Sequence, residues 1–351
     1  MKIRRWALWA ATTVLATGGA LFLSQSAEAA VPDRFGFALF SGGVVSQAQP
    51  AGTTVVNVGI GRWAVTFPGQ GIAGGVAHVT AVHDALTFPP GRWCQLDGWG
   101  PSGVNELVKV SCYRPGGFLD NQPGFSVQFS ASSGPVAGGF YGYMFNTAGC
   151  GIVASYNSVG AVNTCTHAGV GAYSIAFNAL GTPGPNDGGL QVTAVNAGAG
   201  ARCKVAGWAS TPNGQFVRIF CFNAAGVLAD NAFTATYQFK RSLYGPAFPP
   251  TRFGYLWNVP PLGPAPTNFN STGPLNGLFG GPPVWTASFP NLFTTAPSNT
   301  QVTAYGTSNS FCGLHKPWSG SGTTLIATVN CFDNAGNPVN SGFFVSHNSR
   351  V

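Results

Sequence analysis

Charge is scarce in this sequence. Only 7% of its 351 residues are Asp, Glu, Lys or Arg, against about 25% in an ordinary soluble domain. That scarcity removes whole classes of function. No basic cluster is present to track nucleic acid or an anionic membrane surface. The acids are too few and too scattered for a calcium cage. Cys-x-x-Cys pairs are missing too, and with them the spacing of a structural zinc site. After Leu23 no apolar run is long enough to span a bilayer, and no segment beyond the N-terminus carries a helical period. No Gly-x-Ser-x-Gly elbow occurs. Gly74-Gly75 and Gly188-Gly189 precede strand-like stretches rather than helices, so they are not phosphate loops.

What is present is turn and strand material. Gly (50) and Pro (26) are abundant, and 45% of the residues are hydrophobic. That is enough apolar content to bury cores, which argues against disorder. The composition is all-β, with polarity supplied by Asn, Ser, Thr and Gln.

The N-terminus reads Met1-Lys-Ile-Arg-Arg5, then apolar from Trp6 to Leu23, then Ala27-x-Ala29. This is the pattern of a secretory signal peptide over residues 1–29, with cleavage near Ala29 or Ala30. Removing it takes away Lys2, Arg4, Arg5 and Glu28, leaving 13 cations and 8 anions, 13 − 8 = +5. Export to an extracellular or cell-surface location fits the cysteines. All eight follow the leader, an even number at regular spacing, as expected of disulfides in an oxidising compartment.

Those cysteines expose a repeat. Cys94, Cys203 and Cys312 are 109 residues apart at each step; Cys112, Cys221 and Cys331 are 109 and 110 apart. The chain therefore reads as three copies of one module of about 105 residues, a normal domain size. The expected boundaries are 34–133, 136–240 and 252–350. Each module holds some six to eight short strands, which predicts three tandem antiparallel β-sandwiches. A single barrel or propeller formed by all three is the alternative. The short junctions predict modules that sit close together.

Within each module the paired cysteines flank a turn. Cys203 and Cys221 are centred on residue 212, so a symmetric hairpin makes them face each other. The expected disulfides are Cys94–Cys112, Cys203–Cys221 and Cys312–Cys331, with Cys150–Cys165 private to the second module. Each hairpin loop of roughly 18 residues is worth about 3 kcal/mol in the chain-entropy model. Strict alternation then puts Val205 opposite Ile219 and Gly207 opposite Val217 on a core face. Ala206 with Arg218 and Trp208 with Phe216 fall on the other face. In the first module the same rule pairs Gly98 with Val108 in the core, and Asp97 with Lys109 and Trp99 with Leu107 outside. An extra residue before Trp318 predicts a bulge in the third module.

Taken as a set, Gly171-Ala-Tyr173-Ser-Ile-Ala-Phe177, Val192-Thr-Ala194, Cys203–Trp208, Val217–Cys221 and Asp230-Asn-Ala-Phe233 resemble a family of secreted bacterial proteins of unknown function built from repeats of roughly 100 residues. Tyr255-Leu-Trp257 and Phe269-Asn-Ser-Thr-Gly273 extend the likeness, while Gln122-Pro123 and Asn340 depart from it. The resemblance implies a β fold and export. The family supplies no established active site.

Candidate chemistry is thin. His78 and His83 lie on one strand or its end and make no metal pair. His83-Asp84 has the sequence of a base with its orienting acid but lacks a recognisable nucleophile. Asp120 and Asp230 recur before a final strand and read as turn caps, and Asp333 reads as a hairpin-turn residue. No catalytic residue, metal or cofactor is expected. The recurring Trp99, Trp208 and Trp318 admit two readings: burial under a loop or a neighbouring module, or an aromatic platform for sugar rings. On the second reading Arg218, Asp97 and Lys109 supply hydrogen bonds beside the rings. The expected function is non-enzymatic binding of a glycan or cell-envelope polymer, with no nucleic-acid partner and no membrane span after leader cleavage. A structural coat or matrix role is the second expectation, and a hydrolase with a site between modules the third.

Overall fold

The computed structural model describes residues 33–83, 91–121, 124–131, 138–182, 186–244, 252–260 and 264–349. The leader segment, Asp84, Gln122-Pro123 and most of both inter-module junctions lie outside the described residues. The first repeat supplies β1 (Arg34–Ser41), β2 (Val44–Gln49), β3 (Thr54–Gly59), β4 (Arg62–Phe67), β5 (Val76–Val82), β6 (Trp93–Ser102), β7 (Asn105–Arg114), β8 (Phe118–Leu119) and β9 (Gly124–Ala131). The second supplies β10 (Phe140–Asn146), β11 (Ile152–Asn157), β12 (Thr164–Gly169), β13 (Ala172–Asn178), β14 (Gly189–Val195), β15 (Ala201–Thr211), β16 (Gly214–Asn223) and β17 (Ala232–Phe239). The third supplies β18 (Arg252–Asn258), β19 (Pro264–Asn270), β20 (Gly277–Gly281), β21 (Val284–Phe289), β22 (Ser298–Tyr305), β23 (Phe311–Leu314), β24 (Ser319–Ser321), β25 (Thr324–Phe332) and β26 (Gly342–Ser349).

The all-β expectation holds. Each repeat splits into two groups of antiparallel strands that enclose a core. In the first repeat, Ala38, Val79 and Val127 from one group meet Val65, Val108 and Val110 from the other. β4 shows the expected alternation, with Trp63, Val65 and Phe67 buried and their neighbours half exposed.

The two groups do not stop at the repeat boundary. Every sheet joins the Val-Thr-Ala group of one repeat to the hairpin group of another, giving three sheets of eight or nine strands. The joints are parallel and equivalent: Val195 pairs with Leu96, Tyr305 with Val205, and Leu314 with Val82. An equivalent backbone hydrogen bond recurs at each joint, from Asn196 N to Leu96 O (2.8 Å), Gly306 N to Val205 O (2.9 Å) and His83 N to Leu314 O (2.7 Å). Repeat one therefore joins repeat two, two joins three, and three joins one. Three sandwiches are fused edge to edge in a closed cycle.

Where β5, β14 and β22 meet, their threonines make a second cyclic set of contacts. Val302 N donates to Thr80 Oγ1 at 2.9 Å and Val192 N to Thr303 Oγ1 at 3.1 Å. Val79 N approaches Thr193 Oγ1 at 3.5 Å. Thr80 Oγ1 donates to Gln301 Oε1 (2.7 Å), Thr303 Oγ1 donates to Gln191 Oε1 (2.8 Å), and Thr193 Oγ1 bonds His78 Nδ1 (3.1 Å). These groups are buried, and a buried polar group left without a partner would cost about 1–3 kcal/mol. The polar residues of Val-Thr-Ala are thus interior because they join repeats.

All four expected disulfides are present: Cys94–Cys112, Cys150–Cys165, Cys203–Cys221 and Cys312–Cys331.

His78 occupies the place that Gln191 and Gln301 take in the other repeats, and burial lowers its pKa to about 3. The folded state keeps it neutral, whereas the unfolded chain binds a proton below about 6.5. Its contribution to stability is complete above that pH and is lost as pH falls from about 6.5 towards 3, by up to about 1.4 kcal/mol per pH unit. His78→Gln should therefore narrow the drop in melting temperature between pH 7 and pH 4.5, measured by thermal denaturation. The loss will be only partly relieved, because His347 and His83 are lowered by burial as well.

Candidate functional site

The disulfide hairpins decide which side chains face outward, and they do so through a bulge. In the second repeat Cys203 pairs with Cys221 and Val205 with Ile219, but then Gly207 pairs with Arg218 and Trp208 with Val217. The first repeat does the same: Leu96 pairs with Val110, Gly98 with Lys109, and Trp99 with Val108. One extra residue on the cysteine strand shifts the register by one and turns every later side chain to the opposite face. Gly98 adopts a φ of 145°, a conformation that glycine tolerates and side chains resist. The pairings from strict alternation, Gly207 with Val217, Ala206 with Arg218, Trp208 with Phe216, Gly98 with Val108 and Trp99 with Leu107, are corrected accordingly. In the third repeat the arm is interrupted between β23 and β24, next to Pro317.

The bulge carries the tryptophans inward. Trp208 is 9% exposed; it donates from Nε1 to Gln215 Oε1 at 2.8 Å and packs against Trp257 and Phe344 of the third repeat. Trp318 is 5% exposed and donates to Ser298 Oγ at 2.9 Å. Trp99 is half buried, its ring 4.6 Å from that of Phe145 in the second repeat. Of the two readings, burial against a neighbouring module describes them, and they form no exposed platform. Asp97 is also reassigned. It accepts from Ser111 Oγ at 2.6 Å and lies 3.5 Å from Arg62, not opposite Lys109.

β16 is unbroken, so Phe216 and Arg218 stay on the outer face by alternation with the buried Val217 and Ile219, and the bulge removes Trp208 from beside them. Two adjacent rows cross β12, β13, β16 and β15: Thr166–Ser174–Arg218–Gly207, and Thr164–Ala176–Phe216–Ala209. Gly207, Ala209, Ala176 and Ser174 are small, so the sheet sinks between taller neighbours into a groove of about 470 Å³. Phe216 stands in it 42% exposed. Arg218, Ser174, Thr164 and Thr166 are exposed around it. The result is an aromatic face, a guanidinium two residues away on the same strand face, and three hydroxyls within a span of four strands, about 14 Å.

This set belongs to the second repeat alone. The corresponding pair is Leu107 and Lys109 in the first repeat and Ile326 and Thr328 in the third. The private disulfide sits here too. Cys165 lies between Thr164 and Thr166 on β12 and ties that edge strand to Cys150. Strand alternation already placed Phe216 and Arg218 together on the face away from the core. What it missed is that the bulge withdraws Trp208 from that face, and that the hydroxyls of β12 and β13 line up beside them.

The other candidates are structural. His83 is buried, with Nδ1 3.0 Å from Leu314 O and Arg92 N donating to Nε2 at 3.3 Å; its partner Asp84 lies outside the described residues. Asp230 accepts from Gly171 N at 2.7 Å and bonds His167 Nε2 at 2.8 Å, which agrees with a turn cap. Asp333 accepts from Asn337 N at 2.8 Å within its turn. Among the described residues no group of three or more His, Cys, Asp or Glu side chains could hold a metal.

Trp208→Ala should cost about 3–5 kcal/mol, the range for truncating a buried aromatic. Denaturant unfolding checks this; a loss below about 1 kcal/mol would contradict the packing described. No family model, curated protein or solved structure matches this chain.

Proposed function

We propose that the protein is a secreted, non-enzymatic binding protein whose groove over Phe216 and Arg218 takes a segment of glycan or cell-envelope polysaccharide. The chemistry of the groove supports this reading. An exposed aromatic face stacks on the C–H side of a sugar ring, and a guanidinium with serine and threonine hydroxyls bonds its oxygens. The observation that carries the reading is the coincidence of that side-chain set with the one extra disulfide, both confined to the second repeat. Export is supported by the leader-like N-terminus, by the four disulfides and by the resemblance to secreted repeat proteins.

Phe216→Ala and Arg218→Ala test the reading. Both positions are exposed, so the melting temperature should stay nearly constant. Each should weaken retention on cell-envelope polysaccharide about tenfold or more, or roughly 1.4 kcal/mol. Unchanged retention in both variants would remove the groove from consideration. Turnover of a glycoside, ester or peptide substrate that a point substitution abolishes without unfolding would overturn the non-enzymatic part.

A second reading, a coat or matrix component, is favoured by one feature. The outer strand β3 and its turn carry Val56, Val58 and Ile60 at 54%, 61% and 66% exposure. An apolar sheet edge is a template for pairing with another copy. Reversible, concentration-dependent assembly that Val58→Lys abolishes would support that role, and a monomer at all concentrations would discard it.

A further inference from the structure

Two cations are buried where the three repeats meet, with no anion beside them among the described residues. Arg202 and Lys204 flank Cys203 and are only 7% and 3% exposed. Among the described residues neither has an ion-pair partner. Lys204 Nζ donates to Ser308 O, Ser310 O and Ser310 Oγ at 2.9–3.1 Å. The Arg202 guanidinium lies over the rings of Trp93 and Phe311, 4.5 and 4.7 Å from their centroids. Its Nη2 donates to Asn223 O and Asn334 Oδ1, while Nε and Nη1 have no acceptor. Both side chains line a chamber of about 50 Å³ that also touches Thr80, Thr193, Thr303 and Ser310.

An arginine cannot shed its proton, and a buried charge without a counter-ion is expensive. The two aromatic rings offset only part of that cost. The equivalent positions in the other repeats are neutral: Trp93 and Phe311 for Arg202, Gln95 and Gly313 for Lys204. The cations are therefore no requirement of the repeat fold. A water takes up about 10–15 Å³ of such space, so the chamber suits a few waters or one small anion and is too small for a sugar ring.

We propose that this chamber is a specific site for one small inorganic oxyanion, of the phosphate or sulfate class. Arg202, whose Nε and Nη1 lack acceptors, bonds it. Lys204, its three protons already given to Ser308 and Ser310, contributes its charge. The site is separate from the groove, so either can fail without the other. Burial, with Arg202 adding to it, lowers the Lys204 pKa to about 7. A bound anion favours the ammonium and raises that value. Affinity should therefore fall as pH climbs above about 7, and binding there should take up a proton.

Titration of the full chain with sodium sulfate, whose charge is constant over this range, tests the proposal. Calorimetry should show one site per chain, tighter at pH 6 than at pH 9. At pH 8 the binding heat should vary with the buffer's ionisation heat. Lys204→Gln, the residue found in the first repeat, should bind about tenfold more weakly and lose the pH dependence between 6 and 9. Arg202→Met should abolish binding. If Arg202→Met does not fold, Lys204→Gln and the wild-type pH series still decide. No sulfate- or phosphate-specific heat beyond that of chloride at equal ionic strength would overturn the proposal, as would equal binding by Lys204→Gln.

Discussion

Three threonines hold the molecule in a cycle. Thr80, Thr193 and Thr303 each turn a hydroxyl towards the main chain of another repeat. Next to each lies a parallel strand joint of one bridged residue pair. Parallel pairing is less stable per residue than antiparallel pairing, and one bridged pair per joint is a short seam. The hydroxyls, the Gln191 and Gln301 amides and the His78 imidazole reinforce it from the interior, where water does not compete. Low dielectric strengthens such bonds and penalises any that are missing. Losing one of these bonds therefore costs more than losing one at the surface, and each repeat is joined to both others.

The tryptophans complete the same cycle on the apolar side. Trp99 reaches Phe145, Trp208 reaches Trp257, and Trp318 shares a core with Leu39 of the first repeat. These three partners stand at one position of the first strand in each repeat. Every repeat thus fills a socket in the next with an aromatic from its hairpin, which explains a tryptophan that recurs without forming a surface. The bulge makes this possible by changing which face the residue joins halfway along a strand.

Much of this was legible in the sequence and some was not, for reasons that particular residues show. The all-β class, the repeat and three of the disulfides follow from spacing, because facing cysteines in a hairpin are fixed by counting, and Cys150–Cys165 follows as the one pair peculiar to the second repeat. The side chains beyond Val205 could not be assigned by counting. Period-two alternation presumes an unbroken ladder, and nothing in Ala206-Gly207 announces that two residues will face Arg218 alone. That single insertion moved Trp208 into the core, while Phe216 stayed outside. Sheet sharing was hidden for another reason. A joint of one bridged residue pair leaves no pattern in the strand that makes it, and Val-Thr-Ala reads equally well as an ordinary buried strand. Asp97 drew Arg62 and Ser111 instead of Lys109 because the bulge turned it away from the opposing lysine.

The repeats have diverged in a way that separates frame from function. Positions that close the cycle keep their character: threonine at the seam, cysteine on the hairpin, and a phenylalanine (Phe125, Phe233, Phe343) as the second residue of each final strand. Positions that close nothing vary freely. On the outer face Phe216 and Arg218 stand where Leu107 and Lys109 or Ile326 and Thr328 stand elsewhere; at the chamber Arg202 stands among Trp93 and Phe311. Both departures fall in the second repeat, which also carries the extra disulfide. A frame of three equivalent parts needs no such bias. Buried charge and an exposed aromatic each work against stability or solubility. Their concentration in one repeat is why the proposed recognition chemistry is assigned to the second repeat, with the first and third repeats joined to it through the shared sheets.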